Sequence, residues 1–260
     1  MTRVSIVTGG ASGIGRATVD ALLASGGSVV VIDRPSTELH ELAKLDRVLI
    51  VEGDVTDAEV NNAAVSLAHS EFGGLDAMIL NAGVPASGDI VTMPIEIFDR
   101  TIEVNVRGVL LGIRAAVPAL RRRGGGRIVI TASTSGINAD PNMWAYNTAK
   151  AAVINLAKGA ALDLAADAIT VNVVCPGPTE TGMTTGIKQV PEVYESLRRA
   201  VPLQRWGTAE EVKKIMGECK VCGSKLLLSH MPDYKNLLVQ ETARCIECGS
   251  GNRKIIHVLN

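Results

Sequence analysis

Tyr146 and Lys150 stand four residues apart in the run Tyr146-Asn147-Thr148-Ala149-Lys150. On a helix that spacing puts a phenol and an ammonium on one face, a turn apart. A free tyrosine, with a pKa of about 10, is a poor base near neutrality. A nearby ammonium favours the phenolate and lowers that value, so the pair could pass a proton to or from an alkoxide. An ordinary amphipathic helix surface would show the same spacing with no chemistry attached. Ser133 lies 13 residues upstream of Tyr146, at the end of the apolar run RIVITAS (127–133).

A second constellation sits at the start of the chain. Thr8-Gly9-Gly10-Ala11-Ser12-Gly13-Ile14-Gly15 follows a short apolar run and precedes a helical pattern. Glycines let backbone approach an anion closely, and a helix N-terminus offers free N–H groups and partial positive charge to it. The spacing is G-x-x-x-G-x-G rather than the common G-x-G-x-x-G, so its position between strand and helix carries the reading. Asp33 ends the next apolar run, 18 residues after Gly15. A carboxylate there can accept both hydroxyls of an adenosine ribose and would repel a 2′-phosphate, which favours NAD over NADP. The adjacent Arg34 pulls the other way, since guanidinium pairs well with phosphate.

These residues need elements to hold them. Apolar runs occur at 4–9, 28–33, 48–54, 77–83, 127–133 and 169–177, with helical patterns near 14–25, 57–72, 94–122 and 145–166. Strands that are apolar throughout imply a sheet buried on both faces. Their alternation with helices predicts parallel strands, right-handed crossovers and a doubly wound, Rossmann-like α/β fold. In such sheets sites gather at the carboxyl ends of strands. Gly9, Asp33, Asn81, Ser133 and the turn Pro176-Gly177 all fall at such ends.

Composition bounds the rest. The 260 residues are 47% hydrophobic and 20% charged, which excludes global disorder. No apolar run reaches the roughly 18 residues of a membrane span. The opening MTRVSIVTGG runs straight into the glycine turn without the shape of a signal peptide, so a cytoplasmic protein is the expectation.

The averages conceal a seam. Residues 1–212 carry 18 Lys and Arg against 23 Asp and Glu, while residues 213–260 carry 8 against 4. Cys175 stands alone in the first part; Cys219, Cys222, Cys245 and Cys248 crowd the second. Two modules are expected, 1–212 and 213–260. The tail cysteines form two C-x-x-C-G turns separated by 22 residues. Each turn aims two thiolates at one ion, and a pair of turns completes a tetrahedral four-cysteine zinc site. With so small a core, zinc would supply much of the tail's folding energy. Apolar runs at 224–230, 236–242 and 254–260 would give short strands, and the tail resembles a zinc ribbon. A net charge of +4 allows nucleic-acid binding without establishing it.

Residues 1–212 resemble a short-chain dehydrogenase/reductase. The resemblance rests on TGGASGIG (8–15), DV (54–55), NAG (81–83), VNVRG (104–108), Ser133, YNTAK (146–150), PGPTET (176–181) and VPLQRWGTAEEV (201–212). It implies hydride transfer between an alcohol carbon and nicotinamide, with NAD as cofactor and a secondary alcohol or ketone as substrate. By that resemblance Tyr146 is the general acid/base and Ser133 orients the substrate oxygen. Lys150 holds the nicotinamide ribose, and Asn105 supports a proton-relaying water. Gly9, Ser12, Gly13, Ile14 and Gly15 would cradle the pyrophosphate, and Asp33 would choose NAD. Asp54 and Val55 would contact adenine. Asn81, Ala82 and Gly83 would line the cofactor's centre, with Pro176, Gly177, Thr179 and Thr181 on its far side. Segment 182–206 would wall the substrate, with Met183, Ile187, Trp144 and Asn138 near it.

The resemblance stops after Val212. Family members usually continue into a final strand with T-G and D-G-G-like ends, and neither appears here. The pattern resembles a fusion joined near 212–215. Family members are often tetramers, which makes a homo-oligomer possible, but the usual interface-forming end is the part replaced here. The alternative is a non-enzymatic protein that binds nucleic acid or a partner through the tail, with the dinucleotide fold as scaffold.

Overall fold

The structure is a computed structural model, which describes residues 2–201, 203–214, 226–233, 238–245 and 253–258. The chain divides into two compact units, Met1–Ala209 and Glu210–Asn260.

The first unit opens with β1 (Val4–Thr8), α1 (Gly13–Ala24), β2 (Ser28–Asp33), α2 (Thr37–Leu42), β3 (Val48–Glu52), α3 (Ala58–Phe72) and β4 (Ala77–Leu80). It continues with α4 (Ile95–Ile102), α5 (Gly108–Arg122), β5 (Gly126–Thr131), α6 (Trp144–Asp163) and β6 (Ile169–Val174). Short elements follow: β7 (Thr179–Glu180), α7 (Thr185–Lys188), α8 (Pro191–Ala200), β8 (Gly207–Thr208) and α9 (Ala209–Lys214), the last running across the unit boundary. Six parallel strands form one sheet in the order β3-β2-β1-β4-β5-β6. The sequence predicts this doubly wound sheet. It did not single out α2, which Ser36 caps by accepting the Leu39 N–H at 3.1 Å. Among the described residues β6 is the last strand of the sheet.

The strands are apolar throughout because both faces are covered. Val4 and Ile6 of β1 join Val30, Ile32, Leu80, Leu120 and Ile130 in one buried cluster. Val7 faces the other way and joins Val29, Val31, Leu39 and Leu42. Each such side chain contributes about 1.5–3 kcal/mol when fully buried.

The predicted helix at 94–122 is interrupted. Between α4 and α5 the chain makes one π turn, Glu103–Arg107. A wider turn shifts the helical phase, and such bulges are frequent at functional sites. Here it holds Asn105, fully buried, in the interior.

In the second unit, β9 (Leu226–Asp233), β10 (Leu238–Cys245) and β11 (Arg253–Val258) form an antiparallel sheet in the order β11-β10-β9. The expected strands lay at 224–230, 236–242 and 254–260. Of the proposed zinc ligands, Cys219, Cys222 and Cys248 lie outside the described residues, and Cys245 is the last residue of β10.

Candidate active site

The glycine turn is built by close packing between β1, α1 and the end of β4. Gly9 adopts a left-handed φ of 65°, which glycine takes without the steric cost of a side chain. At Gly15 a Cβ would lie 1.9 Å from the Gly9 carbonyl oxygen and 2.6 Å from Asn81 Nδ2. Only glycine lets α1 start this near the strand. Asn81 Nδ2 donates to the carbonyls of Thr8 and Gly9 at 3.2 and 3.1 Å. Thr8 Oγ1 accepts the N–H groups of Asn81 and Ala82 at 2.9 and 3.0 Å. The turn and the Asn81-Ala82-Gly83 segment are therefore one hydrogen-bonded unit.

Ser12 is the extended N-cap of α1, and its side chain makes no capping bond. Ile14 is half-buried in the first turn. Asp33 Oδ2 accepts the Ala11 N–H at 2.9 Å, and Oδ1 accepts that of Arg34 at 2.8 Å. The carboxylate thus braces the turn as well as ending β2. Asp54 accepts the Thr56 N–H and hydroxyl at 2.9 and 2.8 Å and pairs with Arg100. Burial pushes its carboxyl up, but these hydrogen bonds and the guanidinium charge outweigh it and hold the group below its ordinary value. Val55 is buried beside Gly108, and its carbonyl accepts from Asn61.

Gly83 lies against the catalytic candidates: a Cβ there would be 2.6 Å from Asn105 Oδ1 and 3.4 Å from Lys150 Nζ. On the far side, Thr134 N–H donates to the Pro176 carbonyl at 3.0 Å, and Thr179 Oγ1 donates to that of Gly177 at 2.9 Å. Thr181 closes over the glycine turn; its methyl would be 3.3 Å from a Cβ on Gly13. The structure thus brings residues 9–15, 81–83, 105, 133, 146–150 and 176–181 to one end of the sheet.

Tyr146 lies in the first turn of α6, with Lys150 Nζ 5.5 Å from its ring centre. Ser133 is the neighbour that favours the ionised form of the Tyr146 hydroxyl. Lys150 is buried and donates to the Thr131 carbonyl at 2.9 Å. The sequence predicts a lowered tyrosine pKa; the structure has it raised. Burial is the largest cause, the Ser133 hydrogen bond opposes it, and the Asp140 carboxylate adds to it. Lys150 is itself pushed down to about 8, by burial foremost and against the influence of Cys175. The tyrosine is a stronger proton holder than spacing alone suggested, because the spacing gives no measure of burial.

The substrate-wall residues divide. Met183 is exposed and Ile187 half-buried, while Asn138 is exposed. Trp144 stacks on Phe98 at 5.3 Å and an interplanar angle of 13°, tying α6 to α4. Sequence reasoning missed Ser135 and Asp140. Ser135 Oγ lies 3.0 Å from Ser133 Oγ and donates to Asp140 Oδ2 at 2.5 Å. The two serines' spacing was the only sequence signal; nothing marked Asp140. Among the described residues no group of three or more His, Cys, Asp or Glu could hold a metal, and no helix is long and apolar enough to cross a membrane.

A family model described as enoyl-(acyl carrier protein) reductase matches residues 9–217. The chain belongs to the short-chain dehydrogenase/reductase family. It is 39% identical over 221 residues to the 2-(R)-hydroxypropyl-CoM dehydrogenase of Xanthobacter autotrophicus, covering 82% of this chain and 88% of that one. The trans-4-hydroxycyclohexanecarboxylate dehydrogenase of Sinomonas cyclohexanicum is 37% identical over 198 residues, with 72% and 76% covered. A crystal structure of a short-chain type dehydrogenase/reductase from Mycobacterium marinum superposes with a TM-score of 0.75 at 32% identity, covering 82% and 86%. These similarities support an oxidoreductase with a Rossmann-like parallel sheet.

Proposed function

We propose that the chain is an NAD(H)-dependent oxidoreductase that interconverts a secondary alcohol and a ketone, with Tyr146 as general acid/base. The observation that carries this reading is the meeting of Tyr146, Ser133 and Lys150 beside the glycine turn, at the carboxyl ends of β1, β4 and β5. The residues fit a dinucleotide: the Gly9 and Gly15 contacts leave no room for side chains, and α1 starts there with its N–H groups free for phosphate. Gly9, Ser12, Gly13, Ile14 and Gly15 would hold the pyrophosphate and Asp33 the adenosine ribose. Asp54 and Val55 would face adenine. Asn81, Ala82, Gly83, Pro176, Gly177, Thr179 and Thr181 would flank the remainder. When bound, NAD supplies the hydride acceptor and NADH the donor.

The chain's own residues manage the proton and the geometry. In oxidation the phenolate of Tyr146 takes the hydroxyl proton of the alcohol; in reduction the phenol returns it to the nascent alkoxide. Ser133 holds the substrate oxygen within reach of Tyr146. Lys150 holds the ribose of the nicotinamide half and its charge eases phenolate formation. NADH titration, followed by nicotinamide fluorescence, should show saturable binding that Asp33→Lys weakens. In a screen of secondary alcohols and ketones, Tyr146→Phe should abolish turnover at unchanged NADH affinity. Normal turnover in that variant removes Tyr146 from the mechanism.

The four tail cysteines favour a second reading for residues 213–260. Two C-x-x-C-G turns supply four thiolates, a donor set suited to one tetrahedral structural zinc at Cys219, Cys222, Cys245 and Cys248. Metal analysis should give one zinc per chain, lost in Cys219→Ser. If the tail then acts on nucleic acid, chelation will release any that is retained; retention after chelation rejects that role.

A further inference from the structure

The segment Asp54-Val55-Thr56 is gripped by side chains from α4 and the π turn, and the proposed mechanism makes no use of that grip. Arg100 Nη2 donates to Asp54 Oδ2. Arg107 Nη1 donates to the Thr56 carbonyl at 3.0 Å. Glu103 lies between the two guanidiniums, 3.7 Å from Arg100 Nη1 and 3.5 Å from Arg107 Nη1. The middle residue is held from elsewhere. Asn61 Nδ2 donates to the Val55 carbonyl at 2.9 Å, and a Cβ on Gly108 would lie 2.9 Å from Val55 Cγ2.

What Asp54 can still do follows from counting. An ionised carboxylate offers about four acceptor positions and no donor. Burial works against ionisation here, but Thr56 and Arg100 outweigh it and hold the carboxyl below its ordinary value. Oδ1 accepts both the Thr56 N–H and the Thr56 hydroxyl, at 2.9 and 2.8 Å. Oδ2 accepts Arg100. About one acceptor position remains, on the oxygen whose direction Arg100 sets. Gly53, the residue before, donates its N–H to the Asp33 carbonyl at 2.9 Å. The base on the ribose proposed for Asp33 therefore starts beside this segment.

A lone acceptor suits a base edge that bears an amino group, as adenine does. A ring carbonyl oxygen in the same place would meet it with like partial charge. We propose that Arg100 is a specificity-determining positioning residue: by orienting Asp54 Oδ2, it makes the site choose a 6-amino purine over a 6-oxo purine in the dinucleotide. This inference rests on the dinucleotide reading given above. Arg107 holds the same segment through a backbone carbonyl, so it supports the segment without choosing the base.

The probes are NADH and reduced nicotinamide hypoxanthine dinucleotide, which differ only at that edge of the purine. Titration followed by nicotinamide fluorescence gives a dissociation constant for each. The parent should bind NADH about tenfold more tightly, the lower end for a hydrogen bond to a charge, because Asp54 and Arg100 are both partly exposed. Arg100→Met should weaken NADH about fivefold and leave the analogue within about twofold, so that the preference nearly disappears. Arg100→Lys should retain most of the preference, since Arg100 reaches Asp54 Oδ2 through a single nitrogen. Arg107→Met should weaken both ligands alike and keep their ratio. Asp54→Asn, which puts a donor in the same place, should remove the preference.

A parent that binds both dinucleotides alike would overturn the proposal. So would a preference that survives Arg100→Met or Asp54→Asn, or equal losses of both ligands in Arg100→Met, which would make Arg100 merely structural. Partly exposed ion pairs contribute little to folding; if circular dichroism nevertheless finds Arg100→Met unfolded, Arg100→Ala carries the same expectation. Saturable NADH binding without a preference rejects this inference and leaves the dinucleotide reading standing. No saturable binding of either probe overturns both. A preference that follows Arg100 in a protein that turns over no alcohol or ketone upholds this inference while the catalytic reading falls.

Discussion

Asn105 and Val84 clasp each other in both directions. Asn105 Oδ1 accepts the Val84 N–H at 3.0 Å, and Asn105 Nδ2 donates to the Val84 carbonyl at 2.9 Å. The amide is fully buried and reaches Val84 because the π turn directs it inward. Beside the water that the family resemblance assigns to it, Asn105 has a backbone to hold, immediately after Asn81-Ala82-Gly83.

Asn105→Leu should therefore damage stability before it damages chemistry. It leaves the N–H and carbonyl of half-buried Val84 without their partner, at about 1–2 kcal/mol each. Urea titration should find an unfolding free energy lower by about 2–4 kcal/mol. An unchanged midpoint would mean that water replaces both bonds.

Two glycine substitutions should have opposite signs. Gly15→Ala drives a methyl group into the Gly9 carbonyl, and overpacking of that kind costs about 1–3 kcal/mol. NADH affinity should fall tenfold or more, roughly the value of 1.4 kcal/mol. Gly159→Ala, in α6, meets nothing within 4 Å and should stabilise the helix by about 0.5–1 kcal/mol. Thermal melts and NADH titrations of both variants read this out.

Lys150 makes a prediction about pH. Its folded value of about 8 lies below its ordinary 10.5. Between those values the unfolded chain binds more protons, so stability rises with pH through that window; below about 8 the cost of the buried charge is complete. Lys150→Met should be more stable than the parent at pH 7 by about 1–3 kcal/mol. The gap should close between pH 8 and 10.5, and turnover should be lost throughout. Melting temperatures across the range give the comparison; a gap that widens with pH contradicts it.

Asp76 predicts the acid limb. It precedes β4, accepts the Val4 N–H at 2.8 Å and pairs with Arg123 Nε at 2.9 Å. Burial raises its carboxyl, but the Arg123 and Val4 bonds and the positive charges outweigh it and bring the group below 3.8. Its contribution is complete above that ordinary value and is lost as pH falls through the lower folded one. Asp76→Asn should cost about 1–2 kcal/mol at pH 6 and progressively less in strong acid, measured by urea unfolding at each pH.

The sheet and most of the site were legible because they follow from local pattern. Apolar runs ended at glycine, aspartate, asparagine and serine, and parallel pairing aligned those ends, as Thr8 with Leu80 and Leu80 with Ile130 show. What escaped depends on depth or on loop shape. The raised Tyr146 value comes from burial that spacing does not report. The Asp140 carboxylate reaches Ser135 only through the loop between β5 and α6, and a five-residue separation there has no periodic signature. The π turn inside an otherwise regular helical pattern is likewise invisible to periodicity.

The bonds between Asn81 and the Thr8-Gly9 segment also bear on how the protein is made. As the chain leaves the ribosome, β1 emerges first, yet it belongs at the centre of the sheet between β2 and β4. Its glycine turn stays without Asn81 until more than seventy further residues have been synthesised. Non-local pairing of this kind delays folding and leaves apolar strands exposed meanwhile.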